Sequence, residues 1–397
     1  MRAAGSVFLP DATRWSAVAV LVASGIVAAL QVGKAAIATP MLQADLGLSL
    51  AAIGWLTGVF AIIGLVGGVP CGLMVARSGA RRMLLLGLVI VAAGAAMGAA
   101  SGTYGWLLIS RIIEGAGFLL ISVAAPSILE RVTDIPRRNL AFALWSCFMP
   151  AGLAIAMLAG PLFDGWRSIW WASCLLAVVV ALAVMLIVPS EEGRSSATTE
   201  GVGDDVRRTL QAGGPLALAA GIGLYSLMFF ALFSFLPMLL MERMQVSHQV
   251  AGLLSALATA ANILGNLAAG LLLSRGIGRG VVLAGASLVM GVAGLGIFIP
   301  VFADVPTFML CVLFSAVGGL VPATLLASAP VAAPAAGLVP IVLGLIVQGN
   351  NLGQIIGPVA VGTVIETHGW SAAALIVAIA ALAGMAVATV IGRRVHA

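Results

Sequence analysis

The sequence between two long apolar segments reads Gly-Leu-Met-Val-Ala-Arg-Ser-Gly-Ala-Arg-Arg from Gly72 to Arg82. A weaker copy reads Gly-Leu-Leu-Leu-Ser-Arg-Gly-Ile-Gly-Arg from Gly270 to Arg279. The spacing between the two leading glycines equals the spacing between Pro136 and Pro334. Similar segments at a fixed spacing indicate an internal repeat. The chain is therefore predicted to consist of two halves built on one plan.

Composition defines the class of protein. The 397 residues are 62% hydrophobic and 8% charged, whereas soluble domains carry about 25% charged residues. A bilayer core needs about 20 apolar residues per helix, and the sequence contains twelve such runs, which are too long for the strands of a membrane β-barrel. We therefore predict an all-α membrane protein of twelve transmembrane helices in two pseudo-symmetric six-helix bundles. Residues 1–188 form the N-terminal bundle, 189–214 a flexible cytoplasmic linker and 215–397 the C-terminal bundle.

The basic excess of the chain has a topological explanation. The net charge of +5 is dispersed between apolar runs without a basic patch interleaved with aromatic residues, so nucleic acid is not an expected partner. With a cytoplasmic N-terminus, most basic residues fall on the cytoplasmic side, and only Arg167 and Arg243 fall in outside loops. This asymmetry follows the positive-inside rule. It predicts a multi-pass protein of a bacterial inner membrane with both termini in the cytoplasm.

The sequence shows no sign of an enzyme or of a metal site. Its four cysteines all lie in predicted spans without metal-ligand spacing, and no nucleophile is paired with a base. We expect no cofactor and no bound metal. The first apolar run begins near Trp15 and is too long for the core of a signal peptide, so it is expected to remain as helix one.

The segment from Gly72 resembles the signature loop of the major facilitator superfamily, Gly-x-Leu-(small)-Asp-Arg-x-Gly-(basic)-(basic), which joins the second and third helices. The residues that fit this pattern are Gly72, Met74, Arg77, Gly79, Arg81 and Arg82. Ala76 stands where the family has an aspartate that helps to latch the two halves together on the cytoplasmic side. The resemblance implies a conformational hinge or gate formed by Gly72, Arg77, Gly79, Arg81, Gly270 and Arg275. We expect Gly72 to contact helix eleven near Gly357 and Pro358.

Two further motifs support the same resemblance. Pro40, the sequence Asp-Leu-Gly-Leu-Ser from Asp45 and Trp55 match the family pattern around the first loop, and Arg-Ile-Ile-Glu-Gly-Ala-Gly from Arg111 resembles the fourth-helix pattern Arg-x-x-(Gln/Glu)-Gly-x-Gly. The loops also somewhat resemble those of the cyanate-permease and anion-symporter branches. Only a Gly-Pro pair matches the glycine-rich signature of drug/proton antiporters, which counts against drug export. The resemblance implies a secondary transporter that works by alternating access, with helices one, four, seven and ten around its site.

Helix one carries Gln31 and Lys34 on the same face, because they are three residues apart. Lys34 is the only lysine of the protein. It is expected either to face the central cavity and bind the substrate or, being close to the outer end of the helix, to extend its amine to the membrane interface.

Helix four carries Arg111 and Glu114, which are also three residues apart. One interpretation is a self-contained pair that makes burial of both charges tolerable. The other is functional, because ionisable residues inside membranes usually face a bundle interior or a water-filled path. Glu114 is the only acid within the predicted spans, so it is the candidate for the proton-coupling carboxylate.

Helix eleven contains the densest cluster of amides, Gln-Gly-Asn-Asn-Leu-Gly-Gln from Gln348 to Gln354. Some of these amides are expected to line the central cavity or to contact helix two near Gly68 and Gly72. The candidate substrate-binding residues are Gln31, Lys34, Arg111, Tyr225, Gln348, Asn350 and Asn351. Because two cations face one acid, we predict proton-coupled transport of a small anionic solute by a monomer in the lipid bilayer. The alternatives are a proton-coupled exporter of drugs or metabolites and a non-transporting membrane sensor or assembly protein.

Overall fold

The computed structural model describes residues 12–48, 50–190 and 202–395, and the regular elements of these residues are all helices. The α-helices are α1 Trp15–Ile37, α2 Thr39–Leu46, α3 Leu50–Ser78, α4 Ala80–Ala99, α5 Tyr104–Val132, α6 Arg138–Ser146, α7 Phe148–Ala159, α8 Trp166–Ile187, α9 Val202–Gln211, α10 Gly214–Phe233, α11 Leu236–Met244, α12 His248–Ala260, α13 Asn262–Ser274, α14 Arg279–Phe298, α15 Asp304–Gly318, α16 Leu320–Ala332, α17 Val339–His368 and α18 Trp370–Arg394. Short 3₁₀ turns occupy Ile135–Arg137, Gly160–Leu162 and Ala336–Leu338.

Twelve segments of the described chain are long and apolar enough to cross a membrane. Six of them precede α9 and six follow it. The predicted twelve-helix fold is therefore confirmed.

Four spans that were expected to be continuous are interrupted, and two of them, span eight and span ten, break at Ala261 and Gly319. Span five breaks at Cys147 between α6 and α7, and span seven breaks after Phe233 between α10 and α11. Pro150 and Pro237 follow these breaks and cannot donate a hydrogen bond to the carbonyl four residues earlier. In each case that carbonyl belongs to the last residue of the preceding helix, so proline explains the breaks in spans five and seven.

The linker is partly helical, which differs from the expectation of a flexible segment. Residues 202–211 form α9, with Asp204 and Asp205 in its first turn and Arg208 in its last turn, as the helix dipole favours. Thr209 is fully buried and Asp205 almost so. The helix packs against α10 and α17, and this packing explains why a segment of such polar composition is ordered. Residues 191–201 of the predicted linker lie outside the described residues.

We call the end of the molecule that carries α9 the linker face. The backbone N–H of Arg14 donates to the Val132 carbonyl at 3.0 Å and joins the start of α1 to the end of α5 there. The arginines of the described chain that lie at helix ends and loops of this face are Arg14, Arg77, Arg81, Arg82, Arg131, Arg137, Arg138, Arg207, Arg208, Arg275, Arg279, Arg393 and Arg394. Arg167 and Arg243 lie at the opposite face. The helices thus separate the basic residues as the sequence analysis expects.

At the opposite face, Asp45 joins α2 to α8. Its carboxylate accepts hydrogen bonds from Trp166 Nε1 at 2.9 Å and from Arg167 Nη1 at 2.6 Å. These bonds lower the pKa of Asp45 below its ordinary value because they stabilise the ionised form, and the bond from Trp166 has the larger effect. The acidic residue of the Asp-Leu-Gly motif therefore has a structural role in this fold.

The two bundles contact each other closely at the linker face through glycines. A methyl group at Gly72 would lie 2.4 Å from the Pro340 carbonyl oxygen, and one at Gly68 would lie 2.4 Å from that of Gly344. The equivalent glycine of the second half, Gly270 in α13, makes a similar contact with α6. A methyl group at Gly270 would lie 2.7 Å from the Ala143 side chain. We call these contacts, of α3 with α17 and of α13 with α6, the linker-face gate. The gate is closed in this structure.

The predicted partner of Gly72 is wrong. Gly72 lies against Pro340 and Ile341 at the start of α17, whereas Gly357 packs against Leu227 of α10. The reason is helix direction, because α3 runs toward the linker face and α17 runs away from it. A residue near the end of α3 therefore meets the beginning of α17.

The other residues expected at the hinge lie around this gate. Arg77 and Arg275 are exposed, and Arg81 Nη2 donates to the Met185 carbonyl at 2.8 Å. Gly79 has a φ of 90°, which side chains other than that of glycine rarely tolerate, so it permits the tight turn between α3 and α4.

A first prediction concerns the gate. Gly72→Ala inserts a methyl group into a backbone contact, and overpacking of this kind costs about 1 to 3 kcal/mol, or about 5- to 150-fold in the equilibrium between closed and open gates. Spin labels at Arg77→Cys and Arg275→Cys, with the native cysteines replaced, should show a larger population of long distances by electron double resonance.

The matched control is Gly58→Ala on the same helix, because a methyl group at Gly58 meets no atom within 4 Å. This variant should keep the distance distribution of the parent. An unchanged distribution in Gly72→Ala would contradict the packing role of Gly72.

Candidate functional site

A cavity of about 140 Å³ lies between the two bundles. The N-terminal bundle contributes residues of α5, α6 and α7, and the C-terminal bundle contributes residues of α10, α12, α13, α16 and α17. Its aromatic lining residues are Phe118, Trp145, Phe148, Tyr225, Phe229 and Phe230. Its polar lining residues are Ser122, Ser146, Thr259, Asn262, Asn350 and Asn351. None of the described lining residues carries a charge.

The aromatic walls are formed by rings that contact one another. Trp145 and Phe148 lie with ring centroids 4.7 Å apart, and Phe229 contacts Tyr225 and Phe230 at 5.7 and 5.5 Å. Such offset and edge-to-face pairs are the favourable arrangements of aromatic rings. The walls therefore offer flat apolar surfaces from both bundles to a bound molecule.

The polar groups of the cavity are largely engaged with the protein. Tyr225 Oη accepts a hydrogen bond from Asn262 Nδ2 at 3.1 Å, and Asn350 Oδ1 accepts one from Ser226 Oγ at 2.5 Å. Asn351 Nδ2 donates to the Val347 carbonyl at 2.7 Å. The Ser122 hydroxyl is buried and has no hydrogen-bond partner within the described part of the chain. A ligand can thus receive a small number of directed hydrogen bonds.

A separate cluster of charged side chains lies within the N-terminal bundle. Lys34 Nζ donates to Glu114 Oε1 and to Gln31 Oε1, each at 2.6 Å. Arg111 Nη1 donates to the other carboxylate oxygen, Oε2 of Glu114. The three charged side chains are at most 1% exposed. We call Gln31, Lys34, Arg111 and Glu114 the charge cluster.

Neighbouring helices complete the surroundings of the two cations. Lys34 Nζ lies 4.5 Å from the ring centroid of Trp170 in α8, and the Arg111 guanidinium lies 4.3 Å from that of Phe60 in α3. Arg111 Nε donates to the Leu56 carbonyl at 2.9 Å. Burial of ions is costly unless charges and hydrogen bonds compensate it, and these contacts supply part of the compensation. Arg111 Nη2 has no partner among the described residues.

The charge cluster and the cavity are connected through aromatic rings. None of the four cluster residues lines the cavity. Phe118, which does line it, lies one helical turn beyond Glu114 on α5 and contacts Phe60 edge to face at 5.8 Å. Phe60 in turn carries the Arg111 guanidinium on its ring face. A molecule in the cavity is thus separated from the charge cluster by two rings in contact.

The structure corrects two expectations about the charges. Lys34 does not extend to the membrane interface, because its side chain is buried and paired with Glu114. Arg111 and Glu114 are not a self-contained pair, because Lys34 shares the same carboxylate. In addition, α5 extends to Val132, so Glu130 also lies in this helix, but it sits near the linker face with Arg138 Nη1 at 3.9 Å.

The predicted substrate-binding residues divide into three groups. Tyr225, Asn350 and Asn351 line the cavity. Gln348 instead donates to the Leu65 carbonyl at 2.7 Å and lies against Gly68 between the bundles. The third group, Gln31, Lys34 and Arg111, belongs to the charge cluster.

Sequence reasoning missed most of the aromatic lining. Phe118, Trp145 and Phe148 are apolar residues in apolar helices, and nothing in their spacing distinguishes a cavity wall from core packing. The available signal was Trp145 in the middle of a span, since tryptophan is usual at membrane interfaces. Among the described residues, no group of three or more potential ligands is placed to hold a metal ion.

Comparisons with known proteins agree with this architecture. The chain is 29% identical to a chloramphenicol resistance protein of Streptomyces lividans over 69% of this chain and 70% of that protein. It is 28% identical to the tetracenomycin C resistance and export protein of Streptomyces glaucescens over 42% of this chain. The matched segment covers only 32% of that protein. The crystal structure of the human organic anion transporter MFSD10 (TETRAN) has a similar fold, with a TM-score of 0.80, 18% identity and coverage of 96% of this chain and 100% of that one.

A family model covers almost the whole chain. The model described as Major Facilitator Superfamily matches residues 21–334 and 218–396. With its twelve spans in two halves and a cavity between them, the chain belongs to the Major Facilitator Superfamily.

Proposed function

We propose that this protein exports small, uncharged aromatic compounds across the bacterial inner membrane in exchange for protons, by alternating access. The observation that carries the proposal is the uncharged, aromatic-walled cavity between the two bundles. A cavity of about 150 Å³ lined by apolar groups is large enough for a benzene molecule. The cavity of this structure therefore fits about one aromatic ring, and a larger molecule would enter as the bundles separate.

The chemistry of the walls favours an uncharged ligand. Aromatic pairs contribute about 0.5 to 1.5 kcal/mol beyond the area they bury, and six lining residues have aromatic rings. An ion in this cavity would lose its hydration without meeting an opposite charge, which is unfavourable. Ser122, Tyr225 and Asn350 can orient a polar substituent of the ligand.

The named relatives support this substrate class. One is a chloramphenicol resistance protein and another a tetracenomycin C resistance and export protein. Their names describe resistance and, in one case, export. These similarities support outward transport of a foreign compound more than uptake of a nutrient.

The charge cluster is the proposed site of proton coupling. It contains the buried carboxylate Glu114 between two cations, and it contacts the cavity wall through Phe60 and Phe118. A change of protonation in the cluster would change the attraction between α1 and α5. Because the linker-face gate is closed, we assign this structure to the state whose cavity opens to the periplasm. Each chain encloses a complete cavity, so a monomer is the proposed transport unit.

A small anionic solute is the second candidate substrate. The specific observation in its favour is the charge cluster, which contains two cations for one carboxylate and in which Arg111 Nη2 has no partner among the described residues. Such a solute would have to reach the cluster past Phe118. The cavity walls themselves offer it no charge.

Transport into inside-out membrane vesicles distinguishes the two candidates. Three labelled aromatic compounds of similar size, one neutral, one cationic and one carboxylate, are tested with an imposed pH gradient that is acidic inside. We expect the neutral compound to accumulate and to dissipate the gradient. Accumulation of the carboxylate alone would establish the anionic solute instead, and accumulation of the cation alone would contradict both candidates.

A second prediction concerns the cavity wall. Phe230→Leu keeps an apolar side chain but removes a ring, and loss of about 0.5 to 1.5 kcal/mol of ring contact should raise the KM for the neutral compound about two- to tenfold. The matched control is Phe302→Leu, since Phe302 is 51% exposed outside the cavity. Equal KM values for both variants would argue against a ligand at this wall.

A third prediction concerns orientation. A reporter fused after Arg394 should be cytoplasmic, because the linker face carries most of the arginines. A reporter inserted between Val301 and Phe302, in the loop joining α14 to α15, should be periplasmic. The reverse pattern in active protein would invert the proposed direction of transport.

A further inference from the structure

We propose that Lys34, rather than Glu114, is the group that releases and takes up the coupled proton. This inference rests on the proposed function, because it identifies the titrating atom of the same charge cluster. It differs from the sequence-based expectation, in which Glu114 carries the proton. The assignment follows from the charges that the structure brings together.

The first step is a count of charges. With all three side chains ionised, Lys34 and Arg111 contribute two positive charges and Glu114 one negative charge. The cluster then has a net charge of +1 in a site where these side chains are at most 1% exposed. A net charge in such a site is unfavourable because solvation is lost. The protonation change that most lowers the free energy of the buried cluster is therefore the one that brings its net charge to zero.

The second step compares the three groups. Protonation of Glu114 would remove the one negative charge and leave two buried cations facing each other. Arginine does not lose its proton in proteins. Loss of a proton from Lys34 leaves Glu114 paired with Arg111 alone, which is a neutral pair. Lysine is also the cation whose charge state burial changes most readily.

The third step concerns the partners of the amine. Lys34 Nζ donates to Gln31 Oε1 at 2.6 Å, and a neutral amine can keep that bond because it still has N–H groups. Gln31 is itself held by a bond from its Nε2 to the Val27 carbonyl at 2.8 Å. The contacts that weaken on deprotonation are those with Glu114 and with the ring face of Trp170. Deprotonation of Lys34 therefore weakens the contacts of α1 with α5 and α8.

The remaining ionisable groups do not alter this count. Besides Arg111 and Glu114 of α5, the titratable group near Lys34 is the thiol of Cys174 in α8. The other charged groups described on elements packed against α1 lie near the two faces of the molecule: Asp45 and Arg167 at one face, and Arg77, Arg81, Arg82, Glu130, Arg131 and Arg138 at the other. Asp45 and Arg167 are paired with each other.

The proton-transfer step is simple. When the cluster opens to the cytoplasm, an N–H bond of the Lys34 ammonium breaks, its electron pair remains on Nζ and the proton passes to water. When the cluster opens to the periplasm, the amine takes a proton from a hydronium ion, and the electron pair of the broken O–H bond remains on the water oxygen. No other reactant is needed, and one proton enters the cell in each cycle.

The single lysine of this protein allows a direct test. Protein labelled with [ζ-15N]lysine, without a lysine-containing tag and in lipid nanodiscs, should give one side-chain resonance, Lys34. We expect this resonance to change from the ammonium to the amine position within the pH range in which a pH gradient drives transport. A resonance that stays at the ammonium position throughout that range would overturn the proposal, and this arm needs no variant to fold.

Transport by Lys34→Arg provides the second arm. This variant keeps a cation next to Glu114 but cannot release its proton. Accumulation driven by the pH gradient should fall at least tenfold, whereas binding of the neutral aromatic compound and its exchange without a gradient should be retained. Accumulation equal to that of the parent would reject Lys34 as the proton-releasing group.

The control variant is Arg82→Lys, which replaces an arginine by a lysine at an exposed position of the linker face. It should transport like the parent and should add a second, freely titrating resonance. If the parent does not respond to a pH gradient with any of the three compounds, the proposed function fails. The labelling arm still decides whether Lys34 titrates.

Discussion

One carboxylate holds two cations in the interior of the N-terminal bundle, and the arrangement of that bundle depends on it. Lys34 on α1 and Arg111 on α5 are both compensated by Glu114, and Arg111 also reaches α3 through the Leu56 carbonyl. Removing one partner of a buried ion pair typically costs about 3 to 5 kcal/mol because the other charge stays buried. Three helices are thus joined by groups that cannot be removed singly. A change of protonation at this point would therefore affect the contacts of all three helices.

The contact between the bundles rests on a different interaction. At the linker face the backbones of α3 and α17 approach so closely that no side chain fits at Gly68 or Gly72. Ala76 replaces the family's aspartate at this place, so the tight glycine packing contributes to a closure that a carboxylate usually assists. Close approach of backbones is a general way to associate helices in lipid, where little hydrophobic drive exists between them.

Much of the fold could be predicted from the sequence, because long apolar runs have one structural solution in a bilayer. The predicted start of helix one near Trp15 is the start of α1. The breaks after Ser146 and Phe233 were missed because proline is tolerated in many membrane helices. The residue types of the charge cluster were visible, but not their pairing. Lys34 and Glu114 are 80 residues apart in sequence, and helix spacing relates only residues on the same helix.

The separation of the cavity from the charge cluster bears on how binding and protonation can influence each other. A ligand that touched Lys34 directly would compete with Glu114 for its amine. A ligand in the cavity contacts Phe118 instead, and any shift of that ring is transmitted to Phe60 and to the guanidinium of Arg111. Packed side chains pass on displacement because interiors contain few voids. In the proposed mechanism, binding of an uncharged molecule in the cavity therefore alters the balance between Arg111 and Lys34 for the shared carboxylate.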